Sequence, residues 1–99
     1  MQVVNLPEGA IIESPAVADN GGIKAIDQGH LAVGLVGTIV AKMACVETVV
    51  EAALEGSREK FVQALVLDGA VDSLETAEKL ADELLAAQAD YLPQFRKQR

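Results

Sequence analysis

Hydrophobic and polar positions change rhythm three times along this chain. The run Ala10-Ile11-Ile12-Glu13-Ser14-Pro15-Ala16-Val17-Ala18 is short and β-like, and Ile23-Lys24-Ala25-Ile26 repeats that character. Between them stand Asp19-Asn20-Gly21-Gly22, four residues that tolerate positive φ. The pattern predicts a β-hairpin over about residues 10–27. Pro15 has no N–H to give a ladder, so its strand is expected at an edge, or bulged there. A lone hairpin is barely stable in water. It is expected to lie against helices or to pair with strands from elsewhere.

From about His30 to Glu55 the rhythm becomes helical. Between Leu31 and Val46 only Thr38 and Lys42 are polar, with Gly34 and Gly37 as small residues. A helix apolar on nearly all sides is expected to be buried on nearly all sides. Its second half separates into a stripe of Val46, Val49, Val50, Ala53 and Leu54 and an acidic ridge of Glu47, Glu51 and Glu55. Like charges four residues apart repel, so the ridge is expected to face water.

Gly56-Ser57 predicts a stop followed by a start: glycine for a left-handed C-terminal position, serine as N-cap of a helix from Arg58 to about Leu67. After the turn Asp68-Gly69-Ala70-Val71, Asp72 or Ser73 caps a third helix over about 74–91, with Glu75 three residues beyond Asp72 as in a capping box. Ala77, Leu80, Ala81, Leu84, Ala87 and Tyr91 form its expected buried face, and Glu78, Asp82 and Glu83 its wet one. Pro93 follows as a stop. The whole is read as one domain, 1–99, of the α+β class: an N-terminal hairpin, then three helices, then a basic tail at 96–99. There is no internal repeat, low-complexity tract or linker long enough to separate two domains.

Composition narrows the function classes. At 99 residues the chain can build one small domain. Half of it is apolar, yet Phe61, Tyr91 and Phe95 are its only aromatic residues, so its core is aliphatic and offers little to stack on bases or sugar rings. A net charge of −7 argues against nucleic acid, and the one basic cluster, Arg96, Lys97 and Arg99, reads as a solvated tail. The longest apolar run, Leu31 to Ala41, falls short of the ~20 residues that span a bilayer. The N-terminus shows no cationic stretch followed by an apolar signal region, which predicts a cytoplasmic protein.

Candidate chemistry is sparse. Cys45 is the only cysteine, flanked by Ala44 and Val46, and reads as a buried thiol acting as a small hydrophobe. With one cysteine, no internal disulfide or four-ligand zinc pattern is available. His30, the only histidine, would need an acid beside it to act as a base, and Asp27 is the nearest. Glu13 sits in an apolar strand and is expected on its outward face. No catalytic, cofactor-binding or metal-ligating residue is assigned on this basis.

The order of several segments carries more information than any one of them. Asn5-Leu6-Pro7 leads into Ile11-Ile12-Glu13-Ser14-Pro15-Ala16-Val17, and Gly22-Ile23 precedes Gly29-His30-Leu31. Val49-Val50-Glu51-Ala52-Ala53-Leu54-Glu55-Gly56-Ser57-Arg58 follows. Val62-Gln63-Ala64-Leu65-Val66-Leu67-Asp68 then runs on to Ala81-Asp82-Glu83-Leu84-Leu85-Ala86-Ala87-Gln88-Ala89-Asp90-Tyr91-Leu92-Pro93-Gln94-Phe95. This series resembles the C-terminal end of the glycoside hydrolase family 4 enzymes, the α-galactosidase, α-glucosidase and 6-phospho-glycosidase group. Two positions depart from the family pattern: Ala32 after Leu31, and Gly69 after Asp68, stand where proline is common.

The resemblance implies a parent enzyme with an NAD-binding domain followed by a second domain like that of lactate and malate dehydrogenases. It implies NAD and a divalent metal such as Mn²⁺, with sugar oxidation at C3, elimination, water addition and reversal. Such enzymes stand outside the two-carboxylate scheme of most glycosidases. The family's glycine-rich NAD loop, metal-ligating Cys and His, and catalytic Tyr lie upstream of the matching region. Cys45 and His30 are not at those positions, and Glu13 falls in a Val-Glu-Val-Pro-like segment that implies a structural or near-site role. The chain alone is therefore expected to bind no cofactor. Its expected role is that of a non-catalytic C-terminal part, completing the second domain, walling the sugar site and making subunit contacts. Its expected partner is the rest of the parent, or further copies of itself. The alternative is a free-standing helical module that self-associates through the apolar helix, where Gly34, Gly37 and Ala41 permit close approach. An independent small enzyme is disfavoured for want of a nucleophile–base pair, a metal cluster or a phosphate loop.

Overall fold

The computed structural model describes residues 2–98. It has a two-stranded antiparallel hairpin, β1 (Ala16–Asp19) and β2 (Gly22–Ala25), followed by helices α1 (Val33–Glu55), α2 (Arg58–Asp68) and α3 (Leu74–Ala87). Short 3₁₀ segments, Ala89–Tyr91 and Pro93–Gln98, complete the described chain. The α+β class and the order of hairpin before helices are as the residue pattern predicts. The chain divides into two compact units, 1–40 and 41–99, with α1 running through the division.

In the first unit the hairpin is shorter than residues 10–27. Its register pairs Ala16 with Ala25 and Asp19 with Gly22. Pro15 stands just outside β1 and contributes only its carbonyl, which accepts from Ile26 N–H at 2.9 Å. Residues 10–14 form no strand. Of the four turn residues only Gly22 takes a positive φ, +105°. The Asp19 carboxylate accepts from Gly21 N–H at 2.7 Å and closes the turn locally. Every residue of both strands is exposed, Ile23 to 81%.

The long-range order of this unit comes from its first residues. Val3 bridges Gly29 in parallel, Val4 N–H donates to Gly29 C=O at 2.9 Å, and Gln28 N–H donates to Gln2 C=O. Asn5 continues the ladder with its side chain. Its Nδ2 donates to Leu31 C=O and its Oδ1 accepts from Leu31 N–H, both at 2.9 Å. With both peptide groups of Leu31 so engaged, residues 30–32 stay out of the helix. This is why α1 begins at Val33 and not near His30. Val3 and Leu6 are the buried apolar residues of the unit.

The second unit has an aliphatic core. Val62, Ala77 and Ala81 are buried together, with Phe61, Leu65 and Val71 packed around them. Two alanines with no exposed surface let α2 and α3 approach closely. Each junction is capped. At the end of α1, Gly56 takes φ +66° and Ser57 N–H donates back to Ala52 C=O at 3.0 Å, the longer bond of a Schellman closure. Ser57 is also the N-cap of α2, its Oγ accepting from Lys60 N–H at 3.1 Å. Gly69, at φ +83°, ends α2 and donates to Val66 C=O, so the glycine gives a defined closure.

Of the two caps expected for α3, Ser73 is the one used: its Oγ accepts from Thr76 N–H at 3.1 Å and the helix starts at Leu74, so Asp72 and Glu75 form no capping box. Two expectations for this helix need correction. α3 stops at Ala87 and not near residue 91, since Gln88 departs from helical geometry and the chain tightens into 3₁₀. Its buried row is Ala77, Ala81 and Leu85, while Leu84, Ala87 and Tyr91 are exposed. Ala77 and Ala81 are buried ahead of Leu84 because α2 packs close against them through Val62.

The largest departure concerns α1. Only Cys45 and Ala52 on it are buried. These lie one face round from Val46, Val49, Val50, Ala53 and Leu54, all of which are exposed, Leu54 to 80%. The acidic ridge is not simply solvated either. Lys60 Nζ reaches Glu55 at 2.7 Å and Glu51 at 3.1 Å, offsetting the repulsion between them.

Candidate functional site

Candidate residues in the first unit are best placed by what their neighbours already do. Asp27, the acid nearest His30, uses its carboxylate on Gly29 N–H at 2.7 Å, forming a local turn. His30 itself is exposed. The two do not form an acid–base pair in this arrangement. Glu13 is exposed, as strand alternation anticipated, although its segment is not a strand.

Glu13 lies at the rim of a groove of about 250 Å³ within the first unit. Val3, Leu6, Ile12, Leu31 and Ile39 supply the apolar floor, and Glu13, Ser14 and Gln28 the polar edge. The Gln28 amide is turned back onto Ile26 C=O at 3.0 Å. The Asn5–Leu31 pair holds the two halves of the floor in register. The groove is about the size of a few side chains, and its lining is that of a packing socket with a polar lip. Among the described residues no nucleophile–base pair faces it.

Asn5 is the residue the pattern of types did not single out. Its only signal was membership of the Asn5-Leu6-Pro7 segment. Two separate parts of the family-like series, Asn5-Leu6-Pro7 and Gly29-His30-Leu31, are the parts this side chain joins.

In the second unit Cys45 is buried, with Sγ donating to Ala64 C=O at 3.4 Å, so the thiol serves the α1–α2 contact. Arg58 holds Asp82 with two bonds, Nε at 2.7 Å and Nη2 at 3.1 Å, linking α2 to α3. That hydrogen bond to Asp82 raises the guanidinium pKa further above its ordinary value. Lys60 is raised likewise, first by its bond to Glu55 and then by that to Glu51. Of the basic tail, Arg96 donates to Ala89 C=O at 3.3 Å and lies 3.8 Å from Asp90. Arg99 lies outside the described residues.

Among the described residues, no three His, Cys, Asp or Glu side chains converge as a metal site. Cys45 is committed to a backbone carbonyl inside the second unit, and His30 is exposed in the first. The described residues do not fit a metal centre.

Comparison with known proteins gives the family. Residues 2–71 match the family 4 glycosyl hydrolase C-terminal domain. The chain is 32% identical over 96 residues to an alpha-galactosidase of Rhizobium meliloti (strain 1021), covering 94% of this chain and 20% of that protein. It is 30% identical over 91 residues to a 6-phospho-alpha-glucosidase of Leptotrichia buccalis, covering 92% and 21%. It is 32% identical over 96 residues to an alpha-galacturonidase of Lachnoclostridium phytofermentans, covering 94% and 21%. No solved structure matches significantly. The chain thus spans about one fifth of the length of the curated relatives it matches. The segments joined by Asn5 and the stretch through Gly56-Ser57 all fall inside the matched region, and the chain belongs to the family 4 glycosyl hydrolases, within their C-terminal domain.

Proposed function

We propose that this chain is the non-catalytic C-terminal part of an NAD- and divalent-metal-dependent glycosidase, acting in the cytoplasm. In that enzyme it completes the substrate domain and makes subunit contacts. One observation carries the reading: the stripe Val46, Val49, Val50, Ala53 and Leu54 on α1 is exposed, although the same helix already buries another face. A face of five apolar residues in water calls for a cover. The hairpin, exposed on both faces and with no third strand among the described residues, makes the same demand.

By length and composition α1 could cross a bilayer. Protein is the better cover, because Lys42, Glu47, Glu51 and Glu55 interrupt the helix and ionised side chains are costly in lipid. Relatives named for α-galactosides, α-glucosides and galacturonides support a glycosidic bond as the target of the whole enzyme.

The test is a chimera in which this chain replaces the matching fifth of the Rhizobium meliloti alpha-galactosidase. A soluble chimera that cleaves an α-galactoside with NAD and Mn²⁺, and loses activity when Val46 and Val50 become Glu, supports the reading. Light scattering on the isolated chain decides against the alternative module. Polydisperse or loose material supports a domain awaiting its parent. A sharp dimer or tetramer that the same two substitutions dissolve would instead favour self-association through α1.

A further inference from the structure

The end of the described chain folds back onto the corner between α1 and α2, and three contacts converge there. Gln94 Nε2 donates to Ala53 C=O at 3.0 Å. That carbonyl lies in the last turn of α1, where Ser57 N–H, its normal helical partner, goes to Ala52 instead. Phe95 is buried, its ring tilted at 59° to that of Phe61 with centroids 6.4 Å apart. Gly56 itself is buried, and a Cβ built there would overlap the carbonyl of Gln94. Of the five glycines with positive φ, only Gly56 would meet any atom within 4 Å in this way; the other four open onto free space. Position 56 is glycine for two separate reasons, its own backbone and the approach of another segment.

We propose that Pro93–Arg96 is a latch seated on Gly56, and that its closure fixes the last turn of α1. The seat needs the missing Cβ, the Gln94 amide supplies a carbonyl cap, and Phe95 is the plug. The last turn carries Ala53 and Leu54, so the latch sets how much of the exposed stripe is formed. An open latch leaves α2 and α3 packed by their own core and frays α1 from its end.

Amide hydrogen exchange on the full chain reads this directly. A chain ending at Leu92 is expected to exchange about tenfold faster at Leu54, Glu55 and Ser57, with smaller changes along α2 and α3. Gln94→Ala is expected to give about a twofold rise at the same amides. Gly56→Ala loosens the turn in any background through its φ. It is expected to do so by a larger factor in the full chain than in the chain ending at Leu92, because only the full chain has a segment to displace. Equal factors in the two backgrounds, or a uniform rise across all three helices on truncation, would overturn the latch. If Gly56→Ala does not fold, Gln94→Ala decides: unchanged exchange at Leu54 and Ser57 rejects the proposal. These readouts use this chain alone, so they stand whether or not the chimera is active.

Discussion

The two units of this chain are held by different means. Residues 2–40 bury little beyond Val3 and Leu6 and take their order from polar pairing: a bridge, a short ladder and the two-point Asn5–Leu31 contact. Residues 41–96 take theirs from an aliphatic core around Val62, Ala77 and Ala81, with capped ends on α2 and α3. Hydrogen bonds contribute modestly in net terms because folding exchanges them for bonds to water, whereas burial of apolar surface accumulates. The first unit consequently has little buried apolar surface of its own to hold it. The second has a core of its own.

Mutations break this contrast in order of size. Ala81→Asp puts a carboxylate where no surface is exposed and is expected to cost upwards of about 3 kcal/mol. Urea unfolding followed by helical circular dichroism measures it, and a loss below about 1 kcal/mol would show that α2 and α3 are not held by this contact. Asn5→Ala leaves both peptide groups of Leu31 without their partner and is expected to cost about 2 kcal/mol. Its mark is local: exchange at Leu31 and Val4 rises while α2 and α3 keep their protection. Equal loss in both units would erase the distinction.

Smaller effects sharpen the account of the caps and charges. Ser73→Ala is expected to cost about 1 kcal/mol in thermal unfolding and Asp72→Ala close to nothing, since only Ser73 bonds the first turn of α3. The reverse order would restore the capping box. The Lys60 contacts are the weakest test. Its pKa is raised by Glu55 and then Glu51, so the stabilisation is complete below the ordinary lysine range and is lost as pH rises through the higher folded value. Lys60→Gln is expected to remove that alkaline slope and to lower stability at neutral pH by the same small amount, because exposed pairs are worth little.

What could be read from residue order was the class of each element. Glycine at 56 and 69 and serine at 57 marked the helix ends because those types act locally, through their own φ or their own hydroxyl. The boundaries that failed were set at a distance. Nothing near residue 30 announces that Asn5, 26 positions earlier, takes both peptide groups of Leu31 and delays α1. Likewise the face of α3 that is buried depends on how near α2 comes, which favours Ala77 and Ala81 over Leu84. The α1 stripe misled in a different way. Its apolarity is a property of the sequence, but the cover that apolarity calls for is not among the described residues. The groove beside Glu13 was not legible in the sequence, since its walls are assembled from segments that look unrelated along the chain.

Ser57 closes α1 with its N–H and opens α2 with its hydroxyl, so the two helices share one residue as hinge pin and no slack remains between them. The count of residues at that corner is therefore fixed. One amino acid added between Leu54 and Arg58 must either uncap a helix or turn α2 by about 100° and rotate Val62 and Ala64 out of their contacts. The hairpin turn at Asn20-Gly21 is exposed and free of such constraint. Length variation among related sequences is expected to collect at that tip and to be missing at the corner.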